Sequence, residues 1–573
     1  MPRHCLILLL LFYICLPNAL AQKGVGKIVF TADGVEEKCK VPVKTGDSLS
    51  IRLSFRRCLT DIQKQGYLEA RIDSIHYGSN PPIGFGQRGN KYRWGAISTD
   101  SITQSWLANT GVNTMSISGG TLSPFQFAAL NNRILHWHEN NGYPFATIKY
   151  DNAQWDNSLL SVVLNVEKGP LIVLDTLYIK GDAKISYRFL KTFLGFRMGR
   201  PYDEANFSSY DTRMQSLGYL SIIRPSEVEF IPGKARIYTY VTNRRSNRFS
   251  FLLGLQSEGK GISGVRLTGD LHLDLRNTFR NGERNSIKWQ APGERTQRLD
   301  MQTQWPYVLG TNLGISGRFN LYRRDTTYIS INPEMMLDFY FTNGSRLGVG
   351  FEHRKSSAIA TATHGGYGNF NANFYRLSFA TGMLNEDIFH SKYFWAQTAM
   401  SVGVRNADAQ MAVERREKIS VGEAEGAISF FYPIYGEFAV FHSALQARWL
   451  FPMVDGNNDF RFLDNELYRI GGSQILRGFN QESILTNGYS VAAIEVQFRL
   501  QQTINTALFY DVGLVSHYGN GQRVVSYPFG AGVGVQLLTA GGILNISYAL
   551  GEGFGQRLSL KDAKIHVGYL ARF

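Results

Sequence analysis

The sequence has few cysteines, few prolines and, beyond its first 21 residues, no long apolar run. A helix that crosses a membrane needs an apolar run of about 18 residues or more, so spanning helices are not expected in the rest of the chain. The four cysteines show no metal-ligand spacing, which argues against a zinc module. The chain also lacks a long run of lysine and arginine, so nucleic-acid binding is not expected.

Residues 1–21 have the three parts of a secretory signal peptide. Arg3 and His4 precede an almost wholly apolar stretch at residues 6–16, and small residues follow at Ala19 and Ala21. We therefore expect cleavage after Ala21 and an exported mature chain.

Removal of this segment leaves only Cys39 and Cys58 in the mature chain. In an oxidising compartment these two residues could form a disulfide, and two free or packed thiols are the alternative. His136 and His138 lie on different faces of a predicted helix with no third ligand nearby. The sequence therefore predicts no metal site and no cofactor.

Glycine and aromatic residues are abundant. The chain has 58 glycines, 17 prolines and 13% aromatic residues, a balance that favours strands and turns over long helices. The formal net charge of +14 is spread along the chain and is compatible with contact to anionic lipid. With 44% hydrophobic and 18% charged residues, the chain is not a disordered, coiled-coil or collagen-like protein.

The first half of the chain contains a repeat. A Gly-Tyr pair recurs at Gly66, Gly142 and Gly218, 76 residues apart each time, and each pair follows a helix-like stretch and precedes strand-like runs. Glycine suits the left-handed position that closes a helix. These patterns predict three small α+β modules, at residues 22–98, 99–170 and 171–244.

A glycine-rich stretch interrupts the first of these modules. Gly84, Gly86 and Gly89 fit the pattern GxGxxG, but no helix opens after them, so a nucleotide site is not predicted. We interpret the stretch as a connection between strands and expect residues 91–98 to form the last strand of this module.

From residue 245 to residue 573, apolar and polar residues alternate strictly in many segments. Such strands fit a soluble sandwich or an outer-membrane barrel. The signal peptide, the lack of a spanning helix and the alternating C terminus favour the barrel. At about 20 residues per strand with its connections, 16 antiparallel strands are predicted, and 14 or 18 would also fit. The apolar positions of the last strand are Ile565, Val567, Tyr569, Ala571 and Phe573.

Two segments carry a resemblance to a known family. The stretch LDTLYIKGDAKISYRFLKTFLGFRMGRPYDEANFSSYDTRMQSLGYL resembles a POTRA module, and YRIGGSQILRGFNQESI resembles the lumen-loop motif of the BamA/TamA superfamily of outer-membrane assembly proteins. The C terminus is similar to the assembly signature of bacterial outer-membrane proteins. The resemblance implies α+β POTRA-like modules followed by an all-β transmembrane barrel.

The loop motif carries the site that this resemblance implies. Arg477 would enter the barrel lumen and pair with Glu495 and Asp511 on the inner wall, which would pin a long loop. The motif residues are Gly471, Gly472, Leu476, Arg477, Gly478 and Phe479.

The resemblance also implies a function without enzymatic activity. It predicts an outer-membrane insertion factor that acts through periplasmic POTRA modules and a lateral seam of the barrel. Three modules with sixteen strands are most similar to TamA-type members. The expected partners are client outer-membrane β-barrel proteins, outer-membrane lipid and a large periplasmic TamB-like protein. The alternatives are a two-partner secretion translocator and a passive porin or surface antigen.

Overall fold

The computed structural model describes residues 25–30, 36–42, 48–79, 82–257, 265–293, 296–359, 366–382, 393–407, 417–436, 438–453, 462–473, 475–519, 522–539 and 542–571. The predicted signal peptide lies outside the described residues. The chain divides into two compact units, one comprising residues 1–174, 199–207 and 230–235 and the other the remainder. Within the described residues, no helix is long and apolar enough to cross a membrane.

The first sheet is built from four strands. They are β1 (Val25–Phe30), β2 (Glu36–Pro42), β3 (Arg71–His76) and β4 (Ile83–Gln87), in the order β2-β1-β4-β3. Helix α1 (Ser48–Lys64) contributes apolar residues at helical spacing to the core of this module. The buried residues of α1 are Ile51, Ser54, Phe55, Cys58 and Ile62.

The glycine-rich stretch is a strand, and our prediction of a connection there is wrong. β4 lies between β1 and β3, and a Cβ atom on Gly86 would lie 2.0 Å from the carbonyl oxygen of Arg71. Glycine is needed because the neighbouring strand approaches too closely for a side chain. The predicted last strand of this module, at residues 91–98, instead pairs in the second sheet, so the module boundary at residue 98 is also wrong.

The second sheet has the order β5-β7-β6 and is covered by helices with clear sequence signals. Asp100 accepts a hydrogen bond from the backbone N–H of Thr103 at 2.7 Å, and Ser123 accepts one from Gln126 at 3.2 Å. Both are N-terminal helix caps. The elements are β5 (Arg93–Ser98), α2 (Ser101–Thr110), α3 (Thr114–Ile117), α4 (Pro124–Glu139), β6 (Thr147–Asp156) and β7 (Leu159–Glu167).

The third sheet has the order β8-β10-β9. The glycines of the repeat have the predicted left-handed backbone, with φ of +100° at Gly66, +91° at Gly142 and +74° at Gly218. The elements are β8 (Val173–Lys180), α5 (Tyr187–Phe193), α6 (Glu204–Ser208), α7 (Tyr210–Ser216), β9 (Leu220–Ile231) and β10 (Lys234–Asn243).

The rest of the described chain forms one long antiparallel sheet that begins at β11 and ends at β29. Its strands are β11 (Arg248–Ser257), β12 (Val265–Arg276), β13 (Arg284–Gly293), β14 (Thr296–Trp305), β15 (Leu313–Arg324), β16 (Tyr328–Tyr340), β17 (Arg346–Ala358), β18 (Phe370–Gly382), β19 (Tyr393–Ala407), β20 (Glu417–Tyr435), β21 (Ala439–Pro452), β24 (Gly488–Gln501), β25 (Ile504–Gly519), β26 (Gln522–Ser526), β27 (Phe529–Thr539), β28 (Gly542–Glu552) and β29 (Lys564–Ala571). A separate pair is formed by β22 (Tyr468–Ile470) and β23 (Ile484–Thr486).

The long sheet has 17 strands in the described part, where the sequence predicts sixteen. The difference lies in β26 and β27, which pair with successive segments of β25 and together occupy one place beside it. Pro528 separates the two, and proline has no N–H to donate to the ladder.

The two faces of this sheet have the polarity that the membrane interpretation requires. In β18, Tyr375 and Leu377 are exposed, whereas Phe374 and Arg376 between them are buried. Met335 on β16 is likewise 63% exposed. A soluble sandwich would bury its apolar face, so the exposed apolar residues favour a face turned to lipid.

The third module contacts turns of the long sheet within the second compact unit. The ring of Phe189 on α5 packs against Tyr307, with centroids 5.7 Å apart. The backbone N–H of Ser186 donates to the carbonyl of Arg280 at 2.7 Å. The module is therefore attached to the side of the sheet where β12–β13 and β14–β15 turn.

Candidate functional site

A long segment between β21 and β24 folds against the buried, charged face of the long sheet. We call residues 462–470 the base of this loop and residues 475–482 its tip. The strand pair β22–β23 joins the two limbs, with Tyr468 opposite Thr486. The tip carries the predicted motif.

Arg477 in the tip binds both predicted carboxylates. Its Nη2 lies 2.6 Å from Oδ1 of Asp511 and its Nε lies 2.9 Å from Oδ2. Its Nη1 donates to Oε2 of Glu495 at 3.0 Å. The backbone N–H of Arg477 also donates to Asp511 at 2.9 Å, so this carboxylate holds the main chain as well as the side chain. Such a bidentate pair fixes orientation as well as position.

The surroundings of Arg477 are largely closed to solvent. The side chain of Asp511 is 2% exposed and that of Arg477 is 17% exposed. The guanidinium lies 3.5 Å from the centroid of the Phe509 ring, a cation–π contact. Removing the arginine would leave two poorly solvated carboxylates beside each other, which is costly.

The tip rests on glycines of β27 and β28. A Cβ atom on Gly530 would lie 1.8 Å from the carbonyl oxygen of Arg477, and one on Gly551 would lie 2.7 Å from that of Gly478. Gly478 has a φ of +96°. Gln556 donates from Nε2 to the Gly478 carbonyl at 3.0 Å. The backbone can approach the wall this closely only because the wall has no side chains there.

Apolar residues hold the tip from the other side. Leu476 is buried and has a left-handed φ of +61°, a conformation that costs a non-glycine residue about 1–2 kcal/mol. Phe479 is 3% exposed. The apolar side chains packed around Leu476 must stabilise its left-handed backbone conformation. The cluster comprises Ile470, Leu476, Phe479, Ile484, Tyr489, Val491 and Val515.

The structure thus brings the predicted motif residues together with Glu495 and Asp511. Gly471 and Gly472 both have a φ of +105° and connect the base to the tip. Sequence reasoning missed Gly530, Gly551 and Gln556. The glycines that alternate along β27 are the signal that could have indicated a backbone contact there.

A cavity of about 320 Å³ lies beside the tip. It reaches the last strand of the sheet, where His566 faces it, and it is lined mainly by polar side chains. The main polar lining residues are Arg477, Glu495, Asn505, Gln536, Asn545, Ser547 and His566.

The two ends of the long sheet lie side by side. Cα atoms of β11 and β29 come within 8 Å of each other, but in the described part of the chain the sheet has no backbone pairing between them. Ile565 and Val567 of the predicted C-terminal signature are 69% and 68% exposed. Tyr569 and Ala571 lie on β29 with side chains outside the described set, and Phe573 lies outside the described residues.

The second half of the chain matches a known family. Residues 277–556 match the Omp85 superfamily domain. The second half of the chain therefore contains an Omp85 superfamily domain. The matched region includes the loop with Arg477 and both of its carboxylate partners.

Two solved CdiB structures and one solved BamA structure are similar to this chain. CdiB from Escherichia coli is 13% identical with a TM-score of 0.55, covering 93% of this chain and 100% of that one. CdiB from Acinetobacter baumannii is 14% identical with a TM-score of 0.54, covering 84% and 90%. BamA from Haemophilus ducreyi lacking POTRA domains 1–3 is 13% identical with a TM-score of 0.45, covering 84% and 100%. A search of curated protein sequences finds no match.

The Omp85 superfamily domain indicates the broad role of the chain. It is an outer-membrane protein with periplasmic modules, and it acts in the assembly or translocation of proteins at that membrane. It is not an enzyme. Within the described residues, no group of three or more His, Cys, Asp or Glu side chains could hold a metal ion.

Of the two cysteines that follow the predicted signal peptide, Cys58 is disulfide-bonded. It lies on the buried face of α1, and 4% of the residue is exposed. Cys39, its predicted partner, lies on β2, and its side chain is outside the described set.

Proposed function

We propose that this Omp85 protein inserts client β-barrel proteins into the outer membrane through the seam between β11 and β29, the TamA-type role. The observation that carries the proposal is that these end strands lie side by side without backbone pairing in the described part of the chain. An unpaired strand edge is a template for strand addition. In lipid, each unsatisfied backbone group costs several kcal/mol, so a client strand that pairs there is favoured.

The second module offers an edge for a client or a partner in the periplasm. β6 is an outer strand of its sheet, has ten residues and contains no proline. β9 is the equivalent strand of the third module, but it contains Pro225, and the backbone N–H of Ser226 already donates to Asp211 at 3.0 Å. Strand addition therefore favours β6 as the receiving edge. A TamB-like protein with an exposed strand is a suitable partner.

The contacts of Arg477 support a role in holding the loop tip to the wall near the seam. Asp511 on β25 and Gly530 on β27 belong to strands close to the end of the sheet. A tip fixed there would set the position of these strands while a client is added. Modules at residues 22–92, 93–170 and 171–244, followed by a barrel from residue 245, complete the proposed organisation.

Reconstitution into lipid vesicles tests the proposal. The purified full chain is placed in vesicles, an unfolded outer-membrane barrel protein is added, and protease-resistant, membrane-embedded client is measured over time. We expect faster insertion than into empty vesicles. Equal rates in both vesicle types, together with transport of a soluble passenger into the vesicles, would favour the two-partner translocator instead.

A further inference from the structure

The base of the loop is held to the wall by contacts of its own, away from Arg477. Glu466 accepts hydrogen bonds from Nε and Nη2 of Arg405 on β19 at 2.5 and 2.7 Å. Both side chains are almost fully buried, at 5% and 3% exposed. This is a second bidentate arginine–carboxylate pair between the loop and the wall. Here the loop supplies the carboxylate and the wall supplies the arginine, whereas at Arg477 the loop supplies the arginine.

A second buried carboxylate fixes the end of the base. The hydroxyl of Tyr468 donates to Oε1 of Glu423 on β20 at 2.6 Å. Glu423 is inaccessible to solvent and also accepts from Arg354 and from Nε of Arg448, the latter at 2.7 Å. The tyrosine thus joins a network in which the wall already balances the charge.

Neutral contacts complete this attachment. Asn465 donates from Nδ2 to Oγ of Ser356 on β17 at 2.7 Å and to the carbonyl of Gly368 at 2.8 Å. Phe462 and Leu463 are 2% and 6% exposed and pack on apolar wall residues. The base is therefore sealed by ionic, polar and apolar contacts together.

The side-chain hydrogen bonds of the base and those around Arg477 lie on different strands of the wall, although Ile470 of the base shares an apolar cluster with the tip. The base binds β16, β17, β19 and β20, which pair continuously with their neighbours in the middle of the sheet. Around Arg477 the tip contacts β24, β25, β27 and β28, towards the end strand β29. At the end of the tip, Glu482 pairs with Arg298 on β14, towards the other end of the sheet. Any movement at the seam would displace the wall under the tip far more than the wall under the base.

We propose that the loop is an arm with a fixed base, a hinge at Gly471–Gly472 and a tip that moves with the seam strands. Both glycines have a φ of +105°, a region open to glycine at no steric cost. Hinges are a few such positions that absorb the backbone change between two packed parts. Glu466, Tyr468 and Arg405 are positioning residues, because they place the tip without touching the client.

The hinge is independent of the proposed function, because movement of the loop can be measured without any client. Hydrogen exchange of loop amides is measured by mass spectrometry on the full chain in detergent micelles. In Arg477→Ala we expect exchange in the tip to rise about tenfold or more while the base changes less than about twofold. Release of the base to the same extent as the tip would overturn the fixed base.

Variants of the base test whether the base positions the tip. In Glu466→Gln and in the milder Tyr468→Phe, we expect exchange to rise in the base and also in the tip, because the tip loses its support. Asp300→Asn is the matched control: Asp300 pairs with Arg318 across the wall and is expected to leave both segments unchanged. Heat-modifiability of the barrel should be unaltered in Tyr468→Phe. A tip that stays protected in both base variants would overturn the positioning role.

Discussion

Arg477 is a residue whose partners could be named in advance. The motif and the alternation of polar residues on β24 and β25 predict that Glu495 and Asp511 face the lumen, and their distances from Arg477 agree. The contribution of Gly530 could not be predicted in the same way. It depends on how closely two distant backbones approach, and sequence alternation gives no information on that distance.

Arg477→Ala should release the tip. Loss of the cation leaves Asp511 and Glu495 without their ion-pair partner, and breaking such a buried pair typically costs about 3–5 kcal/mol. We expect proteolysis within residues 475–482 of the folded barrel. Arg318→Ala is the control, since Arg318 is a lumen-facing arginine with one carboxylate partner at 3.3 Å and a half-exposed side chain. Equal protease resistance of both variants and the parent chain would contradict the proposed lock.

His138 should make the second module sensitive to acid. It is inaccessible to solvent, and its Nδ1 lies 2.8 Å from the carbonyl of Ile134. Among the described residues, its Nε2 has no hydrogen-bond partner. Burial lowers the pKa of His138 below its usual value, and Lys168 lowers it further, although the bond to Ile134 opposes this. The unfolded state then binds the proton more readily, so stability should fall as pH drops through about 6.5 and level off below the folded-state pKa.

Hydrogen exchange of α4 in the full chain, corrected for the intrinsic effect of pH, measures this. Protection should be lower at about pH 5.5 than at about pH 7.5. His138→Phe should remove most of the difference, whereas His136→Ala on the exposed side of the same helix should retain it. A parent chain with equal protection at both values would disprove the effect.

At the scale of elements, the strands and helices follow the sequence where one periodic signal dominates. Helix α4 is predicted by its Pro124 start, its apolar spacing and the closing glycine, and it is found there. The sequence did not predict β4 because glycine is usually a sign of a loop. Gly86 is needed in this strand because the backbone of Arg71 approaches it closely. The parallel pairing of β5 with β7 was missed because it joins segments about 65 residues apart in the chain, which local patterns do not encode.

Two glycines of β27 allow a test of whether the tip depends on its close contact with this strand. Gly530→Ala places a Cβ atom against the Arg477 carbonyl, and such overpacking typically costs about 1–3 kcal/mol. Gly534→Ala on the same strand meets no heavy atom closer than 3.8 Å. We expect the first variant alone to expose the tip to hydrogen exchange. A similar response from both variants would mean that the tip does not depend on the close contact.

At the scale of the whole molecule, composition and periodicity sufficed for the broad architecture of modules followed by a large sheet. They could not indicate how the end strands of that sheet meet, because the relation of β11 to β29 depends on the curvature of every strand between them. The Omp85 domain indicates a role in assembly or translocation, and we propose that clients enter the membrane at this seam.

Reversible locking of the seam tests whether clients insert between β11 and β29. Cysteine pairs, one in β11 and one in β29, are oxidised in the full chain in vesicles, and client insertion is measured before and after reduction. A cysteine pair at Met335 and Phe351, which face each other on β16 and β17, is the control. A disulfide between these two neighbouring strands, away from the seam, should leave client insertion unchanged. The parent chain treated in the same way controls for the disulfide of Cys58. We expect that insertion stops only when the seam is locked and resumes on reduction. A locked seam that inserts clients at the rate of the control would contradict insertion through the seam.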